Sequence, residues 1–284
     1  MPKILAFIDG SIYSDSVCDH VIWAAARDQV DVSVFNVIEG VDYTEVPSNF
    51  SGNLEAEIKN KLLQELSDLD QKRSKLTQKK ARLVLDSAKD RLVNGGIKTV
   101  ETHLRNGDFV DTVTEFQDNS NMIVIGKRGE AADFAKMHLG SNLERLIRST
   151  NKPVLVAARA FKPIERILLA FDGGKSSFGA VEYLSSNRIY SNLECHIVVA
   201  GPDGSRGHKK SSSAENLLKK AGINYKLFFE RGEPEKVISD HVEKHRIHLL
   251  VMGAYGHSRI RNLIIGSTTT QMIRSCLVPV LLFR

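Results

Sequence analysis

The chain contains itself twice, and this repetition constrains its fold more than any other feature. "KILAFIDGS" (Lys3 to Ser11) returns as "RILLAFDGG" (Arg166 to Gly174). "NMIVIGKRGE" returns as "HLLVMGAYGH", and "LGSNLERLIRSTNKPVLVAA" as "IGSTTTQMIRSCLVPVLLFR". A weaker pair is "RNGD" at Arg105 to Asp108 with "RGEP" at Arg231 to Pro234. The matches keep one order, so the sequence reads as a tandem duplication with its seam near Ala160 to Glu165. Its period is far too long for a solenoid. Each copy is expected to be a domain, 1–160 and 165–284, with its own core.

Within each copy, apolar runs such as "ILAFI", "VSVFNVI", "MIVIG" and "PVLVAA" read as strands buried on both faces. Segments with helical spacing lie between them, such as Val17, Val21, Ala24 and Ala25, or Leu143, Leu146 and Ile147. Such alternation predicts an α/β fold: two tandem open parallel sheets with helices on both faces. The copies differ by an insertion in the first, about 54–94, rich in helix formers and without proline. As one helix it would be ~60 Å long. Apolar residues recur at Leu54, Ile58, Leu62, Leu66, Leu69, Leu76 and Leu83. The simplest reading is an enlarged helix with one core stripe and a solvated charged face; the alternative is an arm that meets a partner.

Composition excludes several classes. No apolar run approaches the roughly 20 residues needed to cross a membrane, and Asp9 and Gly10 break the first apolar run too early for a secretory signal. Cys18, Cys195 and Cys276 are isolated and odd in number, against a disulfide framework or a cysteine metal site. The net charge of +5 is modest and spread out, a poor basis for nucleic-acid binding. A cytoplasmic protein is expected.

The chemistry concentrates in "GAYGHSRIRNLIIGSTTT", Gly253 to Thr270. Ligands of open parallel sheets bind at the carboxyl ends of strands, and "LLVMG" ends there. Glycines let a ligand approach main-chain N–H groups without a Cβ in the way. "GST" then opens a helix whose first amides lack partners, which suits phosphate.

The spacing Gly253-x2-Gly256-x9-Gly266-Ser267 resembles the ATP-binding branch of the universal stress proteins, in tandem form. The resemblance covers nearly all of both copies except the insertion. It implies five-stranded parallel sheets of the adenine nucleotide alpha hydrolase-like kind, with ATP or another adenine nucleotide across the strand ends. Carried over, Ala170, Asp172 and Val199 would meet adenine and ribose, and Met252 and Gly253 the ribose. Gly256, His257, Gly266, Ser267 and Thr268 would wrap the phosphates, with Arg259 or Arg261 adding charge. Mg2+ would ride on the phosphates, since no protein cluster supplies its ligands.

The first copy reads Gly126-x2-Gly129-x10-Gly140-Ser141, one residue longer. Asp9, Val37, Ile125 and Asn142 complete its set. Phe7 stands in the place of Ala170 and would crowd the adenine, whereas Lys127 and Arg128 add positive charge for phosphate. The second copy is therefore expected to be the main site.

Other signals read as structural. "DGGKSS" (Asp172 to Ser177) is a broken Walker A loop and a broken SGGxDS loop, so it reads as a strand turning into a capped helix. His241, His245 and His248 read as solvated helix histidines, with no metal site, and Trp23 as core. Ser211 to Ser213 read as a loop before a helix "AENLLKKAG". No nucleophile is visibly paired with a base. The expected function is a stress-associated protein that signals by binding nucleotide, with slow hydrolysis at most. An ATP-hydrolysing or adenylating enzyme and an interaction protein with vestigial pockets are the alternatives. The final strands "PVLVAA" and "PVLLF" leave sheet edges that would let the copies pack as a pseudo-symmetric pair, and a homodimer is a further expectation.

Overall fold

A computed structural model describes residues 3–26, 30–39, 56–129, 140–201, 208–254 and 266–284. In chain order the first copy runs β1 (Lys3–Phe7), α1 (Ser14–Ala25), β2 (Asp31–Ile38), α2 (Ala56–Asn94), β3 (Val100–Asn106), α3 (Phe109–Phe116), β4 (Met122–Gly126), α4 (Ser141–Ser149) and β5 (Val154–Ala157). The second runs β6 (Arg166–Ala170), α5 (Lys175–Ser186), β7 (Glu194–Ala200), α6 (His208–Lys220), β8 (Tyr225–Glu230), α7 (Pro234–Lys244), β9 (Leu249–Gly253), α8 (Ser267–Ser275) and β10 (Val280–Phe283).

The strands form one sheet in the order β3-β2-β1-β4-β5-β10-β9-β6-β7-β8. Every pairing within a copy is parallel. The copies join where β10 pairs antiparallel with β5, Leu281 opposite Leu155. That pairing covers the two edges that the final strands would otherwise expose. Further ties cross the seam: Lys127 Nζ donates to Cys276 O (2.9 Å) and an Arg284 guanidinium nitrogen to Arg148 O (2.7 Å). Trp23 is half-buried, edge-on to Tyr190.

Alternation along the strands sends side chains to two cores. Ile4, Ala6 and Ile8 join α1, α2, α5 and α6 on one face, while Leu5 and Phe7 join α3, α4, α7 and α8 on the other. Each copy is thus a three-layer α/β sandwich.

Helix α2 departs from the expected core stripe. Leu62, Leu66, Leu69, Leu76 and Leu83 are 38%, 42%, 60%, 68% and 62% exposed, and the residues packed on the body are Ala81, Leu85, Ala88 and Leu92. Leu54 and the side chain of Ile58 lie outside the described residues. The helix outruns the strands it covers, so only its last third has a sheet beneath it, pinned by Arg91 to Asp19 (2.8 Å). The serine run is also corrected: Ser211 to Ser213 lie inside α6, with Ser211 buried against the body.

Candidate functional site

In each copy the chain moves outward from its first strand to the second and third, then returns to pair the fourth strand with the first on its other side. The crossings fall between β1 and β4, and between β6 and β9. At such a crossing the connections leave in opposite directions and open a crevice at the carboxyl ends.

The first crossing is open. A cleft with a cavity volume of about 90 Å³ lies beyond β1 and β4, room for several waters. Of the first copy's candidates, Asp9, Val37, Ile125, Gly126, Gly129, Gly140 and Asn142 all line it, and Ser141 stands exposed at the first position of α4. Two glycines are there for close approach. A Cβ on Gly126 would stand 2.8 Å from Tyr13 Cβ, and one on Gly129 would stand 3.0 Å from Asp9 Oδ2. At Gly140 a Cβ would meet only ordinary contacts, 3.8 Å from Arg128 Cα and Lys127 O, so a side chain fits there but fills the space inside the loop.

Asp9 is held in an Asx turn, its Oδ1 accepting from Ser11 N at 3.0 Å. Phe7 is 5% exposed, with its ring stacked on Phe35 (5.1 Å between centroids) and edge-on to Phe109 (4.9 Å). This apolar wall occupies the end where the second copy has Ala170. Arg128 lines the cleft, but Lys127 does not: its amine turns to Cys276 O across the seam. Burial there pushes its pKa down to about 8, with Arg128 adding to the effect. The reading of Lys127 as a phosphate contact is corrected accordingly. Phe35, Phe109 and Tyr13 went unread in the sequence. The one signal for Phe109 was its place just after "RNGD", where Asp108 caps α3 by accepting from Val110 N and Asp111 N.

The second crossing repeats the frame. Asp172 Oδ1 accepts from Gly174 N (2.8 Å) and from Ser177 Oγ (2.7 Å), closing the turn from strand into α5. The expected side-chain cap is corrected, since Gly174 is the N-cap and Lys175, Ser176 and Ser177 lie inside the helix. Ala170 and Met252 are paired neighbours at the ends of β6 and β9, and Val199 lies in β7 beside them. Gly253 ends β9, and its carbonyl accepts from Thr269 Oγ1 (3.0 Å). Gly266 is the N-cap of α8, tied back to Ala254 O (3.1 Å). Ser267 is exposed at the helix start, whereas the Thr268 hydroxyl donates to Glu235 of α7 (2.7 Å). Gly256, His257, Arg259 and Arg261 lie outside the described residues.

All three cysteines are buried. Burial pushes the Cys18 and Cys195 thiols up to about 12 and raises Cys276. The histidines read as solvated are also corrected. His241 is 1% exposed, His245 is half-buried, and His248 Nδ1 accepts from the Glu165 and Arg166 amides. The face of α7 that carries the first two packs on the sheet.

The family model described as the universal stress protein family matches residues 1–158 and again 163–284. The chain belongs to this family. Universal stress protein Slr1230 of Synechocystis sp. is 37% identical over 287 residues, covering 100% of both chains. In fold, the chain is similar to a universal stress protein from Archaeoglobus fulgidus DSM 4304, with a TM-score of 0.71 at 22% identity over 99% of this chain and 98% of that one. A functionally unknown protein from Pseudomonas aeruginosa PAO1 gives 0.62 at 15%, over 100% and 92%. The duplicated α/β architecture is therefore that of two universal stress protein domains. No helix among the described residues is long and apolar enough to cross a membrane.

Proposed function

We propose that this protein binds ATP or a close adenine nucleotide at its strand-end crevices, chiefly in the second copy, and acts in the cytoplasm by nucleotide-dependent binding rather than turnover. The observation that carries this reading is the glycine-edged cleft between β1 and β4, lined by seven of the eight residues expected there. The second copy is built from the same pieces: an Asx turn after its first strand, a glycine closing its fourth, and a glycine opening α8. It differs in favour of binding, with Ala170 in place of the Phe7 ring and the shorter x9 loop.

In this reading the adenine lies against Ala170 and Val199, Asp172 and Gly253 hold the ribose, amides at Gly256 and Ser267 hold phosphates, and Gly266, whose own N–H is spent on Ala254 O, keeps the approach clear of a side chain. Backbone amides at a helix start bind anions through unpartnered N–H groups and the helix dipole, and need no catalytic base. Mg2+ would be carried by the phosphates.

Titration calorimetry with ATP tests this. Gly266→Val should abolish the tighter site, and Gly140→Val the weaker one without disturbing packing. Unchanged affinity in both variants would sink the assignment, and two equal sites would contradict the ranking. Hydrolysis of labelled ATP that is lost in Asp172→Asn, with binding retained, would make the protein an enzyme instead.

An interaction role has its own support. Leu62, Leu69, Leu76 and Leu83 lie at seven-residue intervals on α2 and are all exposed, the spacing of a coiled-coil seam. The partner in this reading is α2 of a second copy. Light scattering should then show a dimer that Leu69→Lys with Leu76→Lys converts to monomer.

A further inference from the structure

The second copy gathers three histidines that the nucleotide reading leaves unused. His196 stands in β7, His241 in the last turn of α7, and His245 one turn on, at the helix C-cap. Positions four apart share a helix face, and this face looks onto β7. One ring nitrogen from each residue lies within 4.8 Å of the other two. His196 and His241 are 3% and 1% exposed, and the His241 and His245 rings stack at 4.2 Å. Phe228 of β8 closes one side, its ring 4.9 Å from His196 and 4.7 Å from His241.

Carboxylates hold the outer nitrogens. His241 Nδ1 lies 2.8 Å from Glu230 Oε1, and His196 Nε2 lies 3.2 Å from Glu194 Oε1, which Lys226 also binds. An ionised carboxylate only accepts hydrogen bonds. Each outer nitrogen must therefore carry the proton, and each inner nitrogen presents a lone pair. Those inner nitrogens, His196 Nδ1 and His241 Nε2, face each other at 2.9 Å. Two lone pairs at that distance repel unless a cation sits between them. A proton would leave an imidazolium charge against Phe228 and the core, which burial disfavours.

We propose that His196, His241 and His245 bind a zinc ion, with Glu194 and Glu230 orienting the first two rings. Neutral imidazoles whose outer N–H groups are held by carboxylates are the usual setting of zinc-binding histidines, and three imidazoles suit zinc far better than magnesium or calcium. With Zn–N of about 2.0–2.1 Å, tetrahedral ligands stand roughly 3.3 Å apart, so the inner nitrogens need to part by only a few tenths of an ångström. The half-buried His245 marks the side open to solvent, where a water completes the fourth position.

The site belongs to one copy alone. Aligned on Lys3 with Arg166 and on the helix N-caps Asp108 and Glu233, the first copy carries Ser33, Phe116 and Ser120 at these positions. Its consequence is mechanical: the ion ties α7 to β7, and α7 in turn holds the start of α8 through Glu235 and Thr268.

The test uses the full chain, stripped with a chelator and titrated with Co2+ and then Zn2+ in the absence of nucleotide. The expected result is one ion per chain, an intense tetrahedral Co2+ spectrum that Zn2+ quenches, and a higher melting temperature with Zn2+. His245→Ala, at the helix end and least demanding of the fold, should lose the spectrum while keeping the far-UV circular dichroism of the parent. Glu230→Gln should weaken binding about ten- to a hundredfold, and His248→Asn should leave it unchanged. A protein that takes up neither ion overturns the proposal and leaves a shared proton between the rings. Equal binding after His245→Ala and after His196→Asn overturns it too.

Discussion

Replacing Phe7 with alanine separates the two roles assigned to its ring, packing and obstruction. The ring is 5% exposed and makes two aromatic contacts, a stack on Phe35 and an edge on Phe109. Aromatic pairs contribute about 0.5–1.5 kcal/mol each beyond burial, and Phe→Ala in a core costs about 3–5 kcal/mol. Phe7 borders the cleft, so water can enter the vacated space and the cost should fall near the low end, about 3 kcal/mol. Urea unfolding followed by the single Trp23, which sits at the seam against Tyr190, measures it. The same change gives the first copy the small residue that the second has in Ala170. In a Gly266→Val background, where the other site is silenced, Phe7→Ala should raise ATP affinity at least tenfold by calorimetry. A loss of less than about 1 kcal/mol would show that the ring is not packed as described. Full destabilisation with no gain in affinity would show that Phe7 does not block the crevice.

Three further outcomes follow from burial and charge. Lys127 has its folded pKa lowered from 10.5 to about 8, so the unfolded chain binds more protons between those values and stability should rise with pH there. Relative to Lys127→Met, the gain should reach at most about 3 kcal/mol in urea midpoints taken from about pH 7 to pH 10.5; a flat difference would refute the buried amine. Burial holds His20 below its ordinary 6.5, so its contribution is intact above about pH 6.5 and is lost as pH falls toward the folded value, a decline that His20→Gln should blunt. On α2, in chains dilute enough to be monomeric, Leu69→Lys should change stability by less than about 0.5 kcal/mol, whereas Leu92→Ala, fully buried, should cost about 2–5 kcal/mol by the same unfolding assay.

The repeat, the alternation of strands and helices, and the glycines at strand ends were legible because they are local patterns. Gly126 and Gly140 fall at a strand end and a helix start by spacing alone, and the crossing then brings them to one cleft. Helix α2 was legible as a helix, but not in which of its leucines touch anything. Periodicity fixes a face, and only the reach of the sheet beneath decides how much of that face is covered. Tyr13 and Phe109 were missed because their place in the cleft depends on how α1 and α3 pack.

By itself, the order of residues determined that there are two α/β copies and where each could offer bare amides to a ligand. Contacts between residues distant in sequence needed the folded chain. Lys127 reaches Cys276 O, and β5 pairs with β10 across the seam. His196 meets His241 because β7 lies beneath α7, although the two are 45 positions apart in sequence. Backbone hydrogen bonding and side-chain period act over a few residues and leave their mark in the sequence. Which surfaces meet is set by burying apolar area across the whole chain, and that shows only once the layers have closed.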